Sequence, residues 1–289
     1  MYVVNFLFLI CLASISCNQK IEKKEYPTPI PPKIESEEIP VVETREDEIQ
    51  RYQSTAKLLD SNSFLALKKA LDKAKKKIHL NNYYKKFLHK TSDSLYEIQV
   101  SISVKKVFGN KRKHLIIKRG VDEYYKVNIY SISGKEIIPV LKFELEDHTY
   151  MSDSIFDVNG DNLKDYVVNW YGASGCCPRY RNSVFISKKN GGFESEIDFI
   201  NSTFYPKDKK ILGMTYGHPG EVSLYKLKWK GVKIDTIEYI NIDTSSNRET
   251  PFFKTKVDYW GQKDIEKIPL EKLPKEYENI GDGWFYEEL

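Results

Sequence analysis

The chain has 289 residues, with 45 Lys plus Arg against 41 Asp plus Glu, a net charge of +4 and 40% hydrophobic residues. The longest apolar runs fall short of the roughly 18 residues a spanning helix needs, which excludes a membrane-embedded bundle. A basic excess so evenly offset by acids also speaks against a nucleic-acid partner. Aromatic residues make up 13% of the chain, including 20 Tyr, and favour strands.

Residues 1–16, MYVVNFLFLICLASIS, have the short apolar core of a secretory signal. They end in Ser14-Ile15-Ser16-Cys17, which resembles a relaxed bacterial lipobox, although residue 2 is Tyr where such signals usually carry Lys or Arg. The resemblance implies cleavage before Cys17 and its diacylation. It implies an outer-membrane lipoprotein of the bacterial cell envelope, facing the periplasm or the surface and held to the membrane through a lipid anchor. The other reading is an ordinary cleaved signal that leaves Cys17 a thiol. Residues 17–42 follow as a Pro- and charge-rich tether with Pro27, Pro29, Pro31, Pro32 and Pro40. Such a composition stays extended and acts as a spacer.

Residues 43–90 form the expected helical segment. Ile49, Tyr52, Ala56 and Leu59 recur at helical spacing, and Phe64, Leu67, Leu71, Ala74 and Ile78 continue it. Ser61-Asn62-Ser63 offers an N-cap, so the reading is two helices with a short joint. Lys68, Lys69, Lys73, Lys75, Lys76 and Lys77 read as a solvated helix face, with contact to anionic lipid or a wall polymer as the alternative.

From residue 91 to 289 the period changes to two. Strands are expected at 95–108, 114–118, 124–132, 137–144, 166–170, 183–187, 193–200, 210–215, 222–229, 232–240 and 252–260. Ser133-Gly134, Asn190-Gly191-Gly192 and Lys230-Gly231 have hairpin chemistry between them. The fold class is mainly β: a propeller-like or sandwich meander of antiparallel strands with an N-terminal helical segment.

Residues 157–165, DVNGDNLKD, carry the most chemistry. Side-chain oxygens fall at loop positions 1, 3, 5 and 9 (Asp157, Asn159, Asp161 and Asp165), and Leu163 at position 7 can offer its carbonyl. Ca²⁺ takes six to eight hard oxygen ligands, and a tightly wound loop converges alternate residues on one centre. Position 12 is Val168 rather than a bidentate Glu, so this is not an EF-hand. Strand–DxNxDxxxD–strand instead resembles the calcium loop of FG-GAP/VCBS-type β repeats, with Asn162 where that family usually has Gly. The resemblance implies side-chain ligation by Asp157, Asn159, Asp161 and Asp165, backbone ligation by Leu163, and a structural Ca²⁺.

Beyond the signal and the lipobox, the cysteines are Cys176 and Cys177. A strained vicinal disulfide, buried thiols and a mixed disulfide with another chain are the three fates open to them. Because 171–181 follows the calcium strand directly, metal, Trp170, Tyr171, Cys176, Cys177, Arg179, Tyr180 and Arg181 are expected on one edge of the sheet. Aromatic residues with Arg on an anchored loop are typical of a protein-binding hot spot. Ser174, His148 and His218 have no spacing that compels a catalytic arrangement. Similar single-loop β lipoproteins include inhibitors and immunity proteins against cell-wall lysozymes. The reading is therefore a calcium-binding envelope protein that binds another protein or a cell-wall polymer. An envelope hydrolase with a structural calcium, or a scaffold subunit docked through residues 43–89, are the alternatives.

Overall fold

The computed structural model describes residues 44–289 except 110, 122–123, 147, 174, 176, 244–250, 260–263, 282 and 287–289. The expectations for the signal, Cys17 and the tether fall outside these residues, as do Cys176 and Ser174. The chain divides into two compact units, 1–48 and 49–289. In the first, Thr44 and Asp47 cap each other's backbone amides, each at 3.2 Å, and open helix α1 (Arg45–Lys75).

In the second unit α1 continues unbroken through 61–63, against the expected joint. Ser61 Oγ and Asn62 Nδ2 donate back to the Leu58 carbonyl, both at 2.9 Å, and Ser63 is buried against Arg119. Their polar groups are satisfied inside a continuous helix, so none is free to cap a second one. The helix also ends at Lys75; residues 83–90, included in the expected helical segment, form a strand.

Three antiparallel meanders follow in sequence. Sheet I holds β1 (Tyr83–Lys90), β2 (Glu97–Lys105), β3 (Lys113–Val121), β4 (Tyr124–Ser133) and β5 (Glu136–Leu145). Sheet II holds β6 (His148–Phe156), β7 (Asp165–Gly172), β8 (Tyr180–Phe185) and β9 (Ile197–Ile200). Sheet III holds β10 (Ser202–Tyr205), β11 (Lys210–Met214), β12 (Leu224–Lys230), β13 (Lys233–Ile242), β14 (Phe252–Thr255) and β15 (Ile268–Leu270). The protein is thus mainly β, with one helix and no closed barrel among the described residues. β1, β6, β10 and β15 are strands the alternation did not single out.

Four cores lie between successive layers. Ala66, Ala70 and Ala74 of α1 pack on Val100, Ile102, Leu115 and Ile117 of sheet I. The other face of sheet I meets sheet II through Val127, Ile129, Phe143, Tyr166, Val168 and Phe185. Val167, Val184 and Ile186 then meet Ile211, Tyr225 and Trp229 of sheet III. A C-terminal segment with Tyr277, Ile280 and Phe285 covers the last face. Strands buried on both sides need apolar residues at consecutive positions, which is why β7 reads Tyr166-Val167-Val168 without alternation.

Candidate metal loop and binding end

The 157–165 loop joins β6 to β7. The Asp157 carboxylate winds it by accepting the amides of Gly160 (2.7 Å), Asp161 (3.2 Å) and Asn162 (2.8 Å). Asp161 in turn accepts the Leu163 amide at 2.8 Å, and Asn159 accepts that of Asp161 at 3.2 Å. Gly160 and Asn162 take φ of +72° and +70°, so Asn162 adopts the left-handed conformation expected where the repeat family has Gly. A Cβ on Gly160 would stand 2.4 Å from the Pro206 carbonyl, so glycine lets the loop touch sheet III's first turn.

The loop meets all three sheets. The Lys164 amide donates to the Phe108 carbonyl beyond β2 (3.0 Å), and Ser187 Oγ after β8 donates to the Lys164 carbonyl (2.6 Å). Asn159 Nδ2 reaches the Gly231 carbonyl in the β12–β13 turn at 3.4 Å. Asp165 is fully buried, and its two oxygens accept the amides of Val158 and Ser187, each at 2.8 Å. Burial pushes its carboxyl up to about 7; the Val158 and Ser187 amides oppose the shift, and the Asp161 and Asp157 charges add to it.

The structure brings Asp157, Asn159, Asp161 and Leu163 into one turn, with Asp165 behind it tying the loop to Ser187 just after β8. Among the described residues no Lys or Arg pairs with any of the three acids, and no group of three or more His, Cys, Asp or Glu is spaced as a metal cluster. Carboxylate oxygens that already accept an amide keep a second lone pair for a cation. The donor set of hard oxygens is the type calcium takes, and among the described residues the loop's acids lack a basic counter-charge.

The cysteine loop does not share an edge with this turn. β7 is an interior strand of sheet II, and the two loops lie at its opposite ends, about 23 Å apart along eight residues. The expected binding residues meet at that far end but divide between the two faces of the β7–β8 pair. On one face Tyr171 lies opposite Tyr180 with ring centroids 5.0 Å apart, and Arg179 covers Tyr171 at 5.3 Å. Arg179 also donates to the carbonyls of Gly172 and Gly175, each at 2.9 Å. On the other face Arg181 covers Trp170 at 5.5 Å and is ion-paired with Asp198, while His148 stacks on the indole at 4.7 Å. Tyr180 is 53% exposed; the two arginines are committed to these local contacts.

Cys177 is buried, with its sulfur 3.9 Å from Nδ1 of His218 in the turn before β12. Sequence spacing gave no sign of this approach, because 41 residues separate the two. A further cluster went unnoticed because β6 was not expected as a strand. The Asp153 carboxylate, its side chain 8% exposed, pairs with Lys118 and accepts the Tyr125 hydroxyl at 3.4 Å. Tyr150 stacks on Tyr125 at 3.7 Å, and burial drives both phenols above their ordinary value. Lys118, Tyr125 and Tyr150 border a cleft of about 550 Å³ on sheet I. No protein-family model, no curated protein and no solved structure matches the chain.

Proposed function

We propose that the chain is a lipid-anchored, calcium-binding protein of the bacterial envelope that acts by binding a protein or a cell-wall polymer, in the manner of an inhibitor or immunity protein against a lysozyme-like hydrolase. One observation carries the calcium part: Asp157 and Asp161, with Asp165 behind them and no basic partner among the described residues, sit in a turn whose hydrogen bonds reach segments of all three sheets. Asp157, Asn159, Asp161 and Leu163 would hold the ion, with Asp165 behind them, and bound calcium would supply charge compensation and fasten the turn. Three consecutive meanders are compatible with blades of a propeller-like array of the FG-GAP type, and that finer description is part of the proposal.

The exposed Tyr180 and the Tyr171 ring, held in place by Arg179, are the contact set for a partner, since rigid aromatic side chains dominate such interfaces. The test is lysozyme inhibition measured with the intact chain and with Tyr180→Ala. Inhibition weakened by that substitution supports the reading; the absence of both inhibition and binding to purified sacculi rejects it.

The approach of Cys177 to His218 favours the rival reading of an envelope hydrolase with a structural ion. Turnover of a glycan or peptide substrate that disappears in both Cys177→Ala and His218→Ala would replace the binding reading.

A further inference from the structure

The chain's charge is gathered in one place. Residues 64–91 hold nine of the 45 basic residues and one of the 41 acids, so this stretch is net +8 and the remainder net −4. Ala66, Ala70 and Ala74 turn inward on α1, which leaves Lys68 and Lys69 on the outward face with Leu65 beside them and Phe64 at its margin, and Lys76 follows in the turn just after the helix. Phe64 is 66% exposed and Leu65 52%. β1, the open edge of sheet I, adds Lys85 on this side, while Lys86 and Lys90 alternate to the strand's other face. An open trough of about 540 Å³ between helix and edge strand is lined by Leu65, Tyr83, Asp72 and six lysines.

Asp72, the single acid, is 3.9 Å from Lys75. Lys69 and Lys73 lie over the Phe87 ring at 5.6 and 5.5 Å. Burial first, and then the Lys69 charge, hold the nearby His89 imidazole below its ordinary value. Lysines on an open edge deter strand addition, which accounts for Lys85 and Lys86. It accounts neither for the helix lysines nor for two large apolar side chains left in water beside them.

We propose that this face docks on a bilayer containing anionic phospholipid, the lysines meeting the phosphates while Phe64 and Leu65 enter the interface. Charge alone would suit any phosphate-bearing polymer. The apolar pair selects the bilayer, because such side chains gain from an acyl boundary and little from a hydrated polyanion. The inference deepens the envelope reading and rests on it only for where the bilayer is met; it adds a reversible contact to the expected lipid anchor.

The experiment is co-sedimentation of the full chain with vesicles of phosphatidylcholine alone, or of phosphatidylcholine and phosphatidylglycerol at about 3:1. Anionic vesicles should bind at least about tenfold more tightly, and the preference should vanish near 0.5 M salt, where screening is short-ranged. Replacing Lys68, Lys69, Lys73 and Lys76 by Glu should lower binding by more than about a hundredfold with an unchanged circular dichroism spectrum. If that variant misfolds, the salt series on the unaltered chain decides alone. Phe64→Ser with Leu65→Ser should weaken vesicle binding and leave binding of soluble polyphosphate unchanged. Equal binding to both vesicle types overturns the proposal. So does vesicle binding indifferent to the serine pair, which assigns the face to a soluble polyanion. Calcium titration of the same preparations keeps failure here distinct from failure of the calcium reading.

Discussion

Asp165 and Asp161 occupy one loop under opposite conditions, and substitution should separate them. Asp165 is buried with each oxygen on a backbone amide. An Asn there has one accepting oxygen, so Asp165→Asn should cost about 1–3 kcal/mol even in chelator, read by urea denaturation. Asp161 is exposed. Asp161→Ala should cost about 1 kcal/mol or less without calcium and should abolish the rise in melting temperature that calcium gives the unaltered chain. His114 offers a third test. It is fully buried, its Nε2 lies 3.0 Å from the Gly191 carbonyl, and desolvation holds its pKa below the ordinary 6.5. As pH falls through about 6.5 the unfolded chain binds a proton that the folded chain refuses, so stability declines until the folded imidazole also titrates. In His114→Gln, stability should fall less than in the unaltered chain between about pH 6.5 and pH 5, and matching slopes would contradict the assignment.

At the scale of elements, α1 shows how tertiary contact overrides a local signal. Ser61-Asn62-Ser63 reads as a cap, yet each side chain finds its partner inside a continuous helix or on sheet I. Arg119 Nη1 donates to both the carbonyl and the hydroxyl of Ser63 at 2.8 Å. The fully buried row of Ala66, Ala70 and Ala74 lets the helix backbone approach the strands closely. Ala70→Leu would overfill that seam and should destabilise the protein by about 1–3 kcal/mol, measurable as a lower denaturation midpoint. β1 and β6 were illegible for a related reason. Tyr83–Lys90 and His148–Phe156 are edge strands with few buried positions, so their pairing comes from neighbours rather than from their own alternation.

Across the molecule, the 157–165 loop is the place where three consecutive sheets exchange hydrogen bonds. An ion held there would stabilise the whole folded state by mass action. At a calcium concentration about a hundred times the dissociation constant the gain should approach about 2.7 kcal/mol. It should appear as one cooperative shift in thermal unfolding rather than a separate early transition. A titration with neither heat nor thermal shift would remove calcium from the account and leave the layered β architecture unchanged.

The sequence by itself determined what depends on near neighbours. Period-two alternation located most of the strands in all three sheets, and glycines with positive φ at Gly134 and Gly231 turn the hairpins as their positions required. The oxygen spacing of the 157–165 loop was likewise legible, because the hydrogen bonds that wind it run between residues two to seven apart. Only the tertiary structure decided that the 157–165 loop and the cysteine loop lie at opposite ends of β7, that Cys177 meets His218, and that Lys85 of β1 joins the lysines of α1 along one trough. These juxtapositions follow from which sheet face packs on which, a contest of apolar burial between distant segments to which local spacing is blind.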